Sequence, residues 1–150
     1  MELKKQNVLM FEKTMNLGGS SKIVLQMCEA LNPKVNNIVV CSTGGINTKY
    51  LKKMGIKHYC IPDISDMRIG NIIKTLKEIS KIIRNEKITI VHTHHRMAAF
   101  YTNILSFFFD FQFLASVHGE FYDKKIFTRI AYKRATIIAC GEMVKNNIIQ

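Results

Sequence analysis

Four of the five histidines fall in two short polar segments, VHTHHR (residues 91–96) and SVHGE (residues 116–120). His92 and His94 are two residues apart, so on an extended backbone their imidazoles lie on one side. Two chemistries use such a set. Imidazoles sharing a side, joined by His118, can ligate a metal ion. His94, His95, Arg96 and His118 can instead donate hydrogen bonds to a polyhydroxylated or phosphorylated substrate. The metal reading lacks a carboxylate: Asp63 and Asp66 follow a different apolar run, while Asp110 and Asp123 sit in loops. His92, ending its apolar run, is read as a hydrogen-bonded structural residue, and so is His58, inside KHYCI.

A third segment, MNLGGSSKIVLQMCEAL (residues 15–31), sets Gly18 and Gly19 between the apolar run VLMF and a helix-like pattern. So permissive a loop costs backbone entropy, which suggests a use. Between a strand and a helix, backbone N–H groups and the helix dipole favour an anion such as a phosphate. An ordinary tight strand–helix turn is the alternative. The segment is not GxGxxG and no carboxylate closes the next apolar run, VVCSTGG, which disfavours a nicotinamide dinucleotide. There is no GxxxxGK[ST], so a P-loop is excluded. A last segment, ACGE (residues 139–142), adds Glu142.

These segments need elements to hold them, and periodicity supplies a strand–helix rhythm. Strands are predicted over 8–11, 37–42, 57–61, 88–92, 113–117 and 136–140. Helices are predicted from Ser20 or Ser21, as N-cap, to Leu31, and over 48–54, 71–85, 97–108, 125–135 and 142–149. In the clearest helix, Ile72, Ile73, Leu76, Ile79, Ile82 and Ile83 share a face and lysines take the other. The strands are continuous apolar runs rather than alternations, as burial under helices on both faces requires. The fold class is therefore α/β, a doubly wound, mostly parallel sheet, Rossmann-like, in one domain over 1–150. Ligands of such sheets gather at the carboxyl ends of the strands. There Gly18, Gly19, His94, His95, Arg96, His118, Glu120 and Glu142 should converge.

Composition narrows the partners. Lys and Arg number 22 against 11 Asp and Glu, a formal charge of +11. Lysines spread over helix faces, such as Lys74, Lys77 and Lys81, read as a solvated surface or as attraction to an anionic partner. Nucleic acid is disfavoured, for there is no arginine-rich run, zinc-finger spacing or RNA-binding aromatic signature. Cys28, Cys41, Cys60 and Cys140 show no metal-binding or disulfide spacing, and each is expected in the core of a protein from a reducing cytosol. No signal-like segment opens the sequence, and the greasiest stretch, 97–113, is too short and polar to span a bilayer. The phenylalanines at 107, 108, 109, 111 and 113 read as core or as a membrane-touching patch.

In order and spacing, VLMFEKTMNLGGSSKIVLQMCEAL, ITIVHTHHRMAAFY, FLASVHGE and ATIIACGEMVKNNII resemble the N-terminal domain of family 4 retaining glycosyltransferases. The resemblance implies one half of a GT-B architecture, in which two Rossmann-like domains flank a cleft. It implies a nucleotide-sugar donor, whose diphosphate is approached by Gly18, Gly19, Ser20 and Lys22, and it sets His118 beside the donor sugar and the reacting centre. It places His94, His95, Arg96, Gly119, Glu120 and Glu142 on the side of a saccharide or lipid-linked acceptor. No cofactor or metal is implied. Gly141 stands where the family usually has serine. The nucleotide-sugar pocket belongs to a second domain expected to begin beyond Gln150, so residues 1–150 alone are expected to be inactive. The setting implied is bacterial surface polysaccharide or glycolipid synthesis in the cytoplasm, peripheral to the anionic inner face of the membrane. Two rivals remain: a non-catalytic Rossmann-like binding module, and a metal-dependent hydrolase using His92, His94 and His118.

Overall fold

A computed structural model describes residues 2–119 and 122–149. After a short 3-10 turn, Leu3–Lys5, the described chain alternates strand and helix: β1 (Asn7–Phe11), α1 (Gly19–Leu31), β2 (Asn37–Ser42), α2 (Thr48–Lys53), β3 (Lys57–Cys60), α3 (Ile69–Asn85), β4 (Ile90–Thr93), α4 (Arg96–Leu105), β5 (Gln112–Val117), α5 (Lys125–Ala131), β6 (Thr136–Ala139) and α6 (Glu142–Ile149). The strands form one sheet in the order β3-β2-β1-β4-β5-β6. Every pairing is parallel. This is the doubly wound order, with its switch point between β1 and β4.

Alternate residues of each strand feed opposite layers. Leu9 and Phe11 of β1, with Val39, Cys41 and Val91, pack against Ile79, Ile82 and Ile83 of α3 and Ala98, Tyr101 and Leu105 of α4. Val8 and Met10, with Ile38, Val40 and Ile90, face Val24 and Cys28 of α1 and Leu51 of α2. A third cluster joins Phe113, Ala115 and Val117 of β5 to Ala99, Ala131 and Tyr132. Among the described residues no helix is long and apolar enough to cross a membrane.

Several boundaries move from those expected, for physical reasons. α1 starts at Gly19 with Gly18 as its N-cap and no side-chain cap. Ser21, expected as a cap, is buried and turns its hydroxyl back to the Asn16 and Gly18 carbonyls. β4 begins at Ile90, after Lys87 takes a left-handed turn at φ 50°. α4 ends at Leu105, so Phe107 and Phe108 lie on an exposed turn while Phe113 enters the core. Cys28 and Cys41 are buried, but Cys60 and Cys140 are exposed, which corrects the expectation of four core thiols. Both exposed thiols belong to the two edges of the sheet, Cys60 ending β3 and Cys140 following β6.

The glycine loop after β1 is braced by the loop after β2. Met15 N–H donates to the Gly44 carbonyl at 2.9 Å, and Asn47 N–H to the Met15 carbonyl at 2.9 Å. The Asn47 side chain donates to the Asn16 carbonyl at 3.1 Å and to Ser21 Oγ at 3.2 Å. Gly45 sits at φ 147°, and a Cβ there would collide with the backbone of Met15 and Asn16. Gly45→Ala therefore combines a strained backbone with a clash, and chemical denaturation should show a loss of about 2 kcal/mol or more.

Candidate functional site

The parallel register brings the loops after β1, β4 and β5 to one rim. His94 N–H donates to the Phe11 carbonyl at 3.0 Å, which seats the start of the histidine loop beside the end of β1. There Ser20, His94, His95, Arg96, His118 and Gly119 line one cleft of about 250 Å³, with Ser116 and Tyr132 among its other walls. The first turn of α1 thus reaches the same opening as residues more than seventy positions further along the chain.

His92 and His94 lie on one side of β4, their ring centroids 4.3 Å apart. His92 is 3% exposed and its Nε2 meets Ser116 Oγ at 2.7 Å, which is the structural role expected of it. His58 likewise meets Ser42 Oγ, at 2.8 Å. His94 Nδ1 faces His118 Nε2 at 3.3 Å, the rings nearly parallel at 11°. His118 Nδ1 meets Cys140 Sγ at 3.1 Å. His94 Nε2 is buried with no partner. A bare lone pair there costs less than an orphaned N–H, so we assign the proton of His94 to Nδ1, donating to His118. His118 then carries its own proton on Nδ1, towards the sulfur. A substrate reaching His118 would displace the exposed Cys140 more readily than the buried His94.

Burial holds these rings neutral. It lowers His92 to about 4, with the neighbouring His118 imidazole lowering it further. It lowers His94 to about 2, aided by both neighbouring imidazoles. His95 falls to about 4 through burial, with Lys13 and Arg96 adding repulsion. His118 is also lowered, by burial. Neutral imidazoles suit hydrogen bonding to hydroxyls. They suit metals as well, but His92 spends Nε2 on Ser116. Among the described residues no group of three His, Cys, Asp or Glu side chains is arranged to hold a metal ion.

The other sequence candidates are distributed unevenly. Gly18 and Gly19 are exposed at the N-terminus of α1, and a Cβ on either would meet nothing within 4 Å. Lys22 lies on the far side of α1, in a groove shared with Glu29 and Tyr50, and not among the cleft's lining. His95 Nδ1 caps α4 by accepting from Met97 N–H at 3.1 Å. Arg96 reaches Asp123 Oδ1 at 3.2 Å and Thr128 Oγ1 at 3.3 Å. Glu142 is exposed at the start of α6, one strand beyond the cleft, and Glu120 lies outside the described residues.

Two residues were missed by sequence reasoning. Cys140 was read as core, although its place after a strand, like that of His118, was a signal. Glu12, the first polar residue after VLMF, is 2% exposed under the loop. One carboxylate oxygen accepts from Lys13 N–H at 2.7 Å and the other is buried without a partner. Burial raises this carboxyl to about 7, against the opposing pull of the Lys13 amide, the Ser20 hydroxyl and the Lys13 charge.

The fold is a Rossmann-like, all-parallel α/β sheet that matches one half of GT-B glycosyltransferase structures. The family model described as Glycosyltransferase Family 4 matches residues 17–150, and the chain belongs to that family. Among curated proteins no sequence matches it. A glycosyltransferase from Rickettsia africae ESF-5 is similar in structure, with a TM-score of 0.78 at 20% identity, over 97% of this chain and 39% of that one. HepE from Anabaena, in complex with UDP-glucose, gives a TM-score of 0.78 at 13% identity, over 96% of this chain and 40% of that one. MurG from Acinetobacter baumannii gives 0.69 at 13% identity, over 93% and 42%. The chain thus spans about two fifths of the length of the solved structures it matches.

The buried rings and Glu12 impose opposite pH dependences. The histidines have folded values below the usual 6.5, so the unfolded chain takes up protons first as the pH falls. Their contribution is complete above about 6.5 and drains away towards 4 for His92 and His95 and towards 2 for His94. Denaturation followed from pH 7 to pH 4 should show stability falling, with His94→Gln flattening the slope. Glu12, raised from 4.5 to about 7, does the reverse: its unfolded form loses the proton first, so stability is full below about 4.5 and declines until about 7. Glu12→Gln should therefore gain about 2–3 kcal/mol at pH 8 and little at pH 4.5, read by urea titration at the two pH values.

Proposed function

We propose that residues 1–150 form the acceptor-side half of a retaining glycosyltransferase that moves a sugar from a nucleotide-sugar donor to a saccharide or lipid-linked acceptor. The reading rests on one observation above all. In a member of Glycosyltransferase Family 4, the N-terminus of α1 and the pair His94–His118 open onto the same cleft at a switch-point rim.

The chemistry follows from the parts. Transfer leaves a nucleoside diphosphate, and the build-up of charge on it is the main electrostatic demand of the step. The amides of Gly18, Gly19 and Ser20, at the N-terminus of α1 and aligned with its dipole, supply donors for that charge. Lys22 adds positive potential from the other side of the helix and not direct contact. His118, neutral and steadied by His94, hydrogen-bonds the donor sugar near the reacting carbon. His95, Arg96 and Gly119 border the acceptor's path, with Glu142 one strand further out. A second domain supplies most donor contacts, so this half alone is inactive and binds donor weakly. Bacterial surface polysaccharide or glycolipid synthesis on the cytoplasmic side of a membrane is the setting we infer.

Titration of the 150-residue chain with UDP-glucose, followed by NMR, should give millimolar binding that tightens once a family donor-binding domain is added. Tight binding by the chain alone would overturn the division of labour. Gly19→Asp places a carboxylate where the diphosphate is expected, in open space and at a helix end that welcomes it. It should leave the melting temperature unchanged or higher and weaken UDP-glucose binding about tenfold or more.

A further inference from the structure

Two polar atoms near the rim, Oε2 of Glu12 and Nε2 of His94, are buried without a partner. The residues that carry them are 2% and 4% exposed. In the β1–β4 ladder Met10 stands opposite His92 and Phe11 opposite Thr93. The bond from His94 N–H to the Phe11 carbonyl continues that register, which brings Glu12 level with His94 on the neighbouring chain. Alternation turns both to one side of the sheet. Val8 and Met10 face α1 and Glu12 follows them, as His92 and His94 follow Ile90. Ser20, in the first turn of α1, reaches both: its hydroxyl draws on the Glu12 carboxyl, and it lines the cleft with His94. Two orphaned atoms and one hydroxyl are the polar surroundings that a single buried water needs.

We propose that Glu12 is a positioning residue acting through His94: a relay from its carboxyl, by way of one water and His94, sets which nitrogen of His118 carries the proton. With Glu12 protonated the relay runs one way. The carboxyl O–H donates to the water, the water to His94 Nε2, His94 Nδ1–H to His118 Nε2, and His118 Nδ1–H to Cys140 Sγ. With Glu12 ionised its proton has gone to solvent, and the carboxylate can only accept. The water then donates to it and accepts from His94 Nε2–H. Each ring has moved its single proton to the other nitrogen, and His118 Nδ1 accepts from the Cys140 thiol. One proton leaves and both rings stay neutral. Burial sets that ionisation at about 7. Among the described residues Lys13 is the charge that acts on Glu12, and Ser20 of α1 is uncharged. On β2, Cys41, whose carbonyl accepts Glu12 N–H, has a thiol that burial keeps protonated. His92, His94 and His95 are held neutral by burial, and Asp63 acts on His95. What the relay does for transfer rests on the transferase reading: His118 offers a sugar hydroxyl a donor below the transition and an acceptor above it.

The test is imidazole nitrogen NMR on the 150-residue chain without substrate, because a ring nitrogen's shift distinguishes N–H from a bare lone pair. From about pH 6 to about pH 8.5, His118 Nδ1 should pass from the N–H position to the bare one. Its midpoint should match that of the Glu12 carboxyl carbon, at about 7. In Glu12→Gln the carbonyl keeps the Lys13 amide, which leaves the NH2 group as a donor towards the water at every pH. That variant should hold His118 in its low-pH pattern across the range. A merely structural Glu12 would alter stability and leave the His118 nitrogens alike in wild type and variant at high pH. That result, or a Glu12 transition that His118 does not follow, overturns the proposal. The wild-type titration needs no variant, so a failure of Glu12→Gln to fold would not spare it. UDP-glucose takes no part, so the relay is judged on nitrogen shifts and the transferase reading on binding, and each can fail alone.

Discussion

The parallel pairing of β1 with β4 is the constraint on which the site depends. In that pairing Phe11 stands opposite Thr93, so the chain leaves both strands at the same height. The β4–β5 register sets Thr93 opposite Ala115, and β5 runs two residues further, to Val117, before His118 meets His94. A side chain points to the other face of the sheet if its strand slips by one residue. The deep burial of Leu9, Met10, Phe11 and Val91 makes such a slip costly, because it would exchange the occupants of two packed layers. The apolar core therefore fixes the polar rim.

Within the rim, position and protonation are tied together. His94 sits deep enough to remain neutral, and a neutral ring can pass a single hydrogen bond to His118 instead of repelling it. Glu12 obeys the same rule with opposite sign: desolvation keeps it largely protonated below neutrality. The rim therefore gains polarity with little net charge of its own. Positive charge is displaced to the outer helix faces, where Lys77 and Lys81 border an apolar groove.

The alternation of strands and helices was legible in the sequence because each buried strand is a short unbroken apolar run, and the facing of α3 was legible from its isoleucines. Family membership was legible from the order of four short polar segments. What was not legible depended on distance in space. The serines of the glycine loop suggested a cap, but Ser21 is drawn inward by the Asn16 carbonyl, a bond that exists only once the loop after β2 is in place. Lys22, one residue on, turns away from the cleft because a helix rotates successive side chains by about a quarter-turn or more. Cys60 and Cys140 looked like core residues because their neighbours are apolar; that they follow edge strands is a property of the sheet order, which local pattern does not contain. The burial of Glu12 is of the same kind.

The bracing of the glycine loop has a consequence for recognition. On one side Met15, Asn16 and Ser21 are fastened to Gly44 and Asn47, and on the other Gly18 and Gly19 face open space. The backbone is thus fixed from behind while the space beside the two glycines stays empty in front. A loop held in this way has little disorder left to lose, so a group docking against it would meet backbone already in place.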